Sequence, residues 1–131
     1  MEPHAIERLL RVQKDFFATG ATLPLAARRA ALRRLLCTVE QHENEISDAL
    51  YRDLGKSRSE SYMCEIALVK SEIRHQLSHL GSYAREKRVH TPLAHAPAKS
   101  YVKPVPYGTV LVMSPWNYPF LLSVEPLTDA L

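Results

Sequence analysis

A chain of 131 residues, 46% hydrophobic and 24% charged, has the length and balance of one soluble globular domain. The net charge of +3 is mild, and acidic residues are interspersed with basic ones that lack interleaved aromatics, which argues against a nucleic-acid partner. No apolar run approaches membrane-spanning length, and Met1 to Arg8 carries acids without an apolar core segment, so neither a spanning helix nor a signal peptide is expected and the cytoplasm is the expected location.

The first helix is predicted over about 5–17, where Ile6, Leu9, Leu10, Gln13, Phe16 and Phe17 form one stripe and Gly20 closes it. Thr22, a cap candidate, and Pro24, a first-turn proline, open a second helix over about 24–54. Leu25, Leu32, Leu35, Leu36, Val39, Ile46, Leu50 and Leu54 carry its period to Gly55. Arg28, Arg29, Arg33 and Arg34 fall mostly between those positions; they could cradle a phosphate but are read as an exposed face. Cys37 and Cys64 lie within predicted helices and are read as reduced, half-buried thiols rather than a disulfide.

Ser57 and Glu60 have capping-box spacing and start a third helix over about 58–86. Tyr62, Ile66, Val69, Ile73, Leu77, Leu80 and Ala84 step by four or three residues, the cleanest amphipathic pattern in the chain, which ends at the charged run Arg85 to Arg88. Matching stripes joined by a short link at Gly55 predict an antiparallel pair. His75 and His79 are four apart with Glu72 beside them, a spacing that could ligate a metal. They lie off the stripe and lack a fourth ligand, so no metal site is expected.

Residues 91–107 are a proline-rich link followed by an arm in which Lys99 to Val105 alternates polar and apolar, as an edge strand does. Pro106 to Gly108 is turn chemistry, and the apolar, β-branched run Val110 to Met113 suits a strand buried on both faces of a parallel sheet. Ser114 to Pro119 then brackets Trp116, Asn117 and Tyr118 between two prolines in a stiff elbow. Phe120, Leu121, Val124, Leu127 and Leu131 follow at helical spacing. An elbow between a buried strand and a helix N-terminus is where open α/β sheets hold ligands. Read from its residue type and place alone, Asn117 is a helix N-cap.

The run Gly108 to Phe120, with Pro126-Leu127 after it, resembles the first cofactor-domain strand of the aldehyde dehydrogenases, and its Pro-Trp-Asn-Tyr-Pro form resembles their class 3 branch. Asp53 to Ser57, Ser71 to His75 and Thr91 to Leu93 resemble the same branch, so the likeness covers nearly the whole chain. It implies an α/β fold of aldehyde dehydrogenase type. Residues 1–90 would be the N-terminal helical region, 91–107 the link and oligomerisation arm, and 108–131 the start of the NAD(P)-binding domain, its first β-α unit. It further implies NAD- or NADP-dependent oxidation of an aldehyde to a carboxylic acid through a cysteine thioester, in a homodimer contacting its partner at Ser100 to Lys103. From the residues alone, a surface hairpin arm explains Ser100 to Lys103 equally well.

The same resemblance implies Asn117 as the amide that stabilises the oxyanion, Met113, Ser114, Pro115 and Trp116 along the cofactor, and Tyr118 on the substrate tunnel. For Met113, Trp116 and Tyr118, packing explains the residue types equally. The resemblance also implies that the family's nucleophilic cysteine and general-base glutamate lie beyond Leu131; neither Cys37 nor Cys64 is near a motif that would lower a thiol pKa. The 131 residues are therefore expected to be inactive alone, with the last thirty or so poorly anchored. The alternative function is a non-catalytic helical module that associates with full-length subunits.

Overall fold

A computed structural model describes residues 3–131. In chain order it holds α1 (Pro3–Ala18), α2 (Leu25–Gln41), α3 (Glu43–Leu54), α4 (Arg58–Ser61), a π-helical turn (Tyr62–Ile66), α5 (Ala67–Tyr83), β1 (Lys87–Val89), a 3-10 turn (Leu93–His95), β2 (Ser100–Val102) and α6 (Leu121–Ala130). None of the helices among the described residues is long and apolar enough to cross a membrane.

The core follows the predicted stripes. Leu32 and Val39 of α2 meet Ile66, Val69, Ile73 and Leu80, all buried, with Leu25, Leu35, Leu36, Ile46 and Leu77 packed around them. The α2 and α5 axes are antiparallel, as two contacts down the seam fix: Gly81 lies beside Arg29 and Arg74 donates to Glu40 at 2.6 Å; Lys70 of α5 then donates to Glu43 at the start of α3 at 2.9 Å. Of the four arginines, Arg33 and Arg34 are exposed, while half-buried Arg28 donates to the Leu131 carbonyl at 2.6 Å.

Turn chemistry is realised at Gly20, Gly55 and Gly108, all with positive φ. Gly55 is the left-handed C-cap of α3, and Ser57 caps α4 by accepting the Glu60 N–H at 3.2 Å. Gly108 lies beside Phe17, so α1 and the segment before the elbow touch there. The rest of the α1 stripe, including Ile6, Leu9 and Phe16, is exposed among the described residues.

Several expectations are corrected. The helix expected over 24–54 breaks at His42, whose backbone leaves the helical region (φ −104°, ψ 16°), so that α3 takes its own course and buries Leu50. Thr22 does not cap α2; extended Pro24 occupies that position. The helix expected over 58–86 contains the π-helical turn and ends at Tyr83, and the charged run after it supplies β1. That strand pairs antiparallel with β2, Arg88 opposite Tyr101, in a two-stranded hairpin arm.

Val110 to Met113 is not a strand. It carries no regular secondary structure: β1 and β2 form the only sheet among the described residues, so its main chain has no ladder to join. Its Leu111 is 80% exposed. The segment after the elbow, by contrast, is anchored: Phe120, Leu121, Val124 and Leu131 pack on the core, and α6 lies along α5 despite Pro126 within it.

One acidic patch lies on the α5–α6 seam. Gln76 Nε2 bridges Glu72 at 2.8 Å and Asp129 at 2.7 Å. Partial burial, then the Glu72 and Asp129 charges, raise the Glu125 pKa; partial burial and Glu72 raise that of Asp129 against the opposing bond from Gln76.

Two outcomes follow from this packing. Ile73→Ala empties a fully buried site between α2 and α5 and should cost about 2–5 kcal/mol of unfolding free energy by urea denaturation. For Glu125 and Asp129 the folded pKa lies above the unfolded one, so their ionised forms oppose folding and that opposition fades as pH falls through the raised values. Glu125→Gln and Asp129→Asn should therefore raise Tm at neutral pH, with the gain vanishing in acid, as thermal unfolding across pH would measure.

Candidate active-site elbow

The elbow from Ser114 to Pro119 is held by a buried ion pair from the helical region. Lys56 follows the left-handed turn at Gly55, in the short link between α3 and α4. Glu65 lies in the π-helical turn, three residues after Tyr62 and four before Val69, and so on the apolar stripe itself. Glu65 is 0% exposed and Lys56 is 7% exposed. Lys56 Nζ lies 2.5 Å from Glu65 Oε1.

Both partners use their remaining capacity on the elbow. Glu65 Oε2 accepts the main-chain N–H groups of Phe120 at 2.9 Å and Leu121 at 3.0 Å. Lys56 Nζ also donates to the Asn117 carbonyl at 2.9 Å and lies 4.0 Å from the centre of the Tyr118 ring. Desolvating two charges costs several kcal/mol each in general, and such a pair is tolerable only when its other valences are filled, as they are here.

The carboxylate also solves the problem of the α6 N-terminus. The Leu122 N–H already bonds the Tyr118 carbonyl at 3.0 Å, which places Pro119, Phe120 and Leu121 in the first turn. Pro119 has no N–H to satisfy, and the other two are taken by Glu65. A negative charge there also complements the helix dipole. Asn117 is therefore not the N-cap that its residue type and place suggest. Had it been, its side chain would take the Phe120 N–H, which Glu65 holds. Asn117 enters the network through its carbonyl alone, and its side chain is exposed.

Hydroxyls tighten the elbow from within. Ser114 Oγ donates to the Pro119 carbonyl at 3.2 Å and lies 3.1 Å from that of Pro115, while Ser123 Oγ donates to the Pro119 carbonyl at 2.6 Å. Ser114, Pro115, Asn117 and Tyr118 are exposed, as are Met113 (82%) and Trp116 (83%), their neighbours in the chain. Tyr118 forms the elbow's inner wall against Lys56.

Met113 to Trp116 suit the flat, hydroxyl-rich end of a dinucleotide in their chemistry. Two exposed apolar side chains flank main-chain groups that no strand engages among the described residues. Away from the elbow, the rings of His75 and His79 stack with centroids 4.1 Å apart, and His75 Nε2 lies 2.9 Å from the Tyr83 hydroxyl. Cys37 is exposed, Cys64 is half-buried, and both are free thiols.

The Lys56–Glu65 pair had a signal in the sequence: a carboxylate on the cleanest apolar stripe, nine residues after a lysine at a glycine turn. Charges are almost never fully buried unless paired. What spacing could not supply was the third member, the elbow more than fifty residues downstream.

A model of the aldehyde dehydrogenase family matches residues 2–131. The chain is 40% identical over 126 residues to the 4,4'-diaponeurosporen-aldehyde dehydrogenase of Staphylococcus aureus, covering 96% of this chain and 28% of that protein. It is 37% identical to aldehyde dehydrogenase family 3 member F1 of Arabidopsis thaliana, covering 96% of this chain and 26% of that protein. A solved structure described as the substrate-bound state of Staphylococcus aureus AldH superposes with a TM-score of 0.91 at 41% identity, over 95% of this chain and 27% of that one. The chain thus spans about a quarter of the length of these relatives.

Removing the carboxylate should be more damaging than its size suggests. Glu65→Ala leaves a buried ammonium without its counter-charge and two first-turn N–H groups without partners, and should cost about 3–5 kcal/mol by urea denaturation. Amide exchange at Phe120 and Leu121 should accelerate in the same variant.

Proposed function

This chain belongs to the aldehyde dehydrogenase family, and from that membership we propose that it forms the N-terminal part of an NAD- or NADP-dependent enzyme oxidising aldehydes to carboxylic acids. In this reading a cysteine thiolate and a general-base glutamate come from residues outside these 131, so the chain alone carries no turnover. Attack by that thiolate on an aldehyde carbonyl places negative charge on the carbonyl oxygen. The Asn117 amide donates a hydrogen bond to that oxygen without being charged itself.

The observation that carries this role is the division of labour at α6. Glu65 takes the N–H groups that would otherwise engage Asn117, which leaves an exposed amide on a fixed main chain. Met113, Ser114, Pro115 and Trp116 would line the cofactor, whose bound form accepts the electron pair lost by the substrate. Tyr118 would wall the aldehyde channel.

The β1–β2 arm supports the homodimer in this reading. Tyr101 and Val102 are exposed on β2, and a partner strand or face would cover them. The same surface favours a second reading, in which the short chain is a non-catalytic module that joins full-length subunits.

In the complete protein that carries this chain, Asn117→Ala should lower kcat by about 10²–10³-fold with a smaller change in KM, measured as aldehyde-dependent reduction of the nicotinamide. The 131-residue chain should give no turnover in the same assay. Turnover by it would place the nucleophile within these residues.

A further inference from the structure

We propose that Lys56 and Glu65 are positioning residues for the Asn117 amide, setting the transition-state hydrogen bond from a site remote in sequence and wholly inside the helical region. This rests on the reading of Asn117 as oxyanion donor.

Asn117 stands between two attachments that end on the same ion pair. Its own carbonyl is held by Lys56 Nζ at 2.9 Å. The peptide N–H groups three and four residues later are held by Glu65 at 2.9 and 3.0 Å. Lys56 and Glu65 hold each other, so the three contacts form one closed loop around the Asn117 main chain. Pro115 and Pro119 restrict the backbone on either side. The Asn117 side chain itself makes none of these contacts.

The pair sits on rigid supports. Glu65 belongs to the π-helical turn that runs directly into α5, whose Val69 and Ile73 are buried in the core. Lys56 is bracketed by the Gly55 C-cap and the Ser57 N-cap. A displacement of about 1 Å in a catalytic group can cost about 10²-fold in rate, so a donor's worth depends on such support. An apolar pair of similar volume would leave the Asn117 carbonyl and the Phe120 and Leu121 N–H groups without these partners, so the ion pair both stabilises the elbow and fixes its main chain.

The test is a double-mutant cycle in the complete enzyme, with turnover normalised to titrated reactive cysteine so that misfolded protein is not counted. Lys56→Met should lower kcat by about 10–100-fold with KM little changed. In the Asn117→Ala background the same change should cost less than about twofold, because its route of action is already gone. Lys56→Arg, which keeps a donor and a charge, should recover part of kcat, and it serves as the reporter should Lys56→Met fail to fold. Glu65→Gln should show the same coupling to Asn117→Ala. Equal losses in both backgrounds would assign the pair a purely structural role and overturn the proposal, as would an unchanged kcat in Lys56→Met. If Asn117→Ala itself left kcat intact, the oxyanion reading would fall and the positioning role with it; a loss in Asn117→Ala without coupling would overturn the positioning role alone.

Discussion

The Lys56–Glu65 ion pair is the constraint on which the rest of this structure depends. A carboxylate at 0% exposure is tolerable only with its charge matched and its oxygens filled. Here Oε1 is filled by Lys56 and Oε2 by the first turn of α6. Remove the elbow and α6 from their place, and Glu65 loses the two N–H groups on Oε2 while Lys56 loses the Asn117 carbonyl and the Tyr118 ring. The dependence runs in both directions. The elbow needs the pair to satisfy its amides, and the pair needs the elbow to justify its burial. That reciprocity anchors a C-terminal segment whose preceding run, Val110 to Met113, is exposed at all but Val112 and outside any sheet among the described residues.

Most of the helical scaffold was legible in the sequence because helix burial is a local property. The stripe from Tyr62 to Leu80 delivers Ile66, Val69, Ile73 and Leu80 to the core in the spacing that predicts it. Gly55 and Ser57 end one helix and begin the next by chemistry that a short window of residues contains. The break at His42 is different. No proline or glycine marks it, and the positions on either side, Val39 and Ile46, are four or three residues from the next apolar ones as an unbroken helix requires. The break is seen only in the His42 backbone, which spacing does not encode.

The candidate site divides in the same way. Its elbow was legible from two prolines bracketing an aromatic-rich tripeptide, and residues 113–118 are exposed. The strand before it was not, because an apolar β-branched run states a preference and a ladder needs a partner. The true cap of α6 was also hidden. Asparagine before a helix is the commonest of caps, and local chemistry therefore selects Asn117. The carboxylate that does the capping arrives from 55 residues away in the chain.

That substitution of one cap for another bears on chemistry. A side-chain amide can serve the N-terminus of its own helix or a reacting oxygen, and its single acceptor and two donors are oriented differently for each. An asparagine used as a cap turns its oxygen inward and loses the freedom to aim its N–H groups at a ligand. By transferring the cap to Glu65, the fold keeps Asn117 at the mouth of a helix, where its main chain is held firmly, without engaging its side chain in holding it. Rigid support and an uncommitted donor usually compete at a single residue. The buried ion pair separates them: it holds the main chain on both sides of the Asn117 side chain and leaves the amide itself uncommitted.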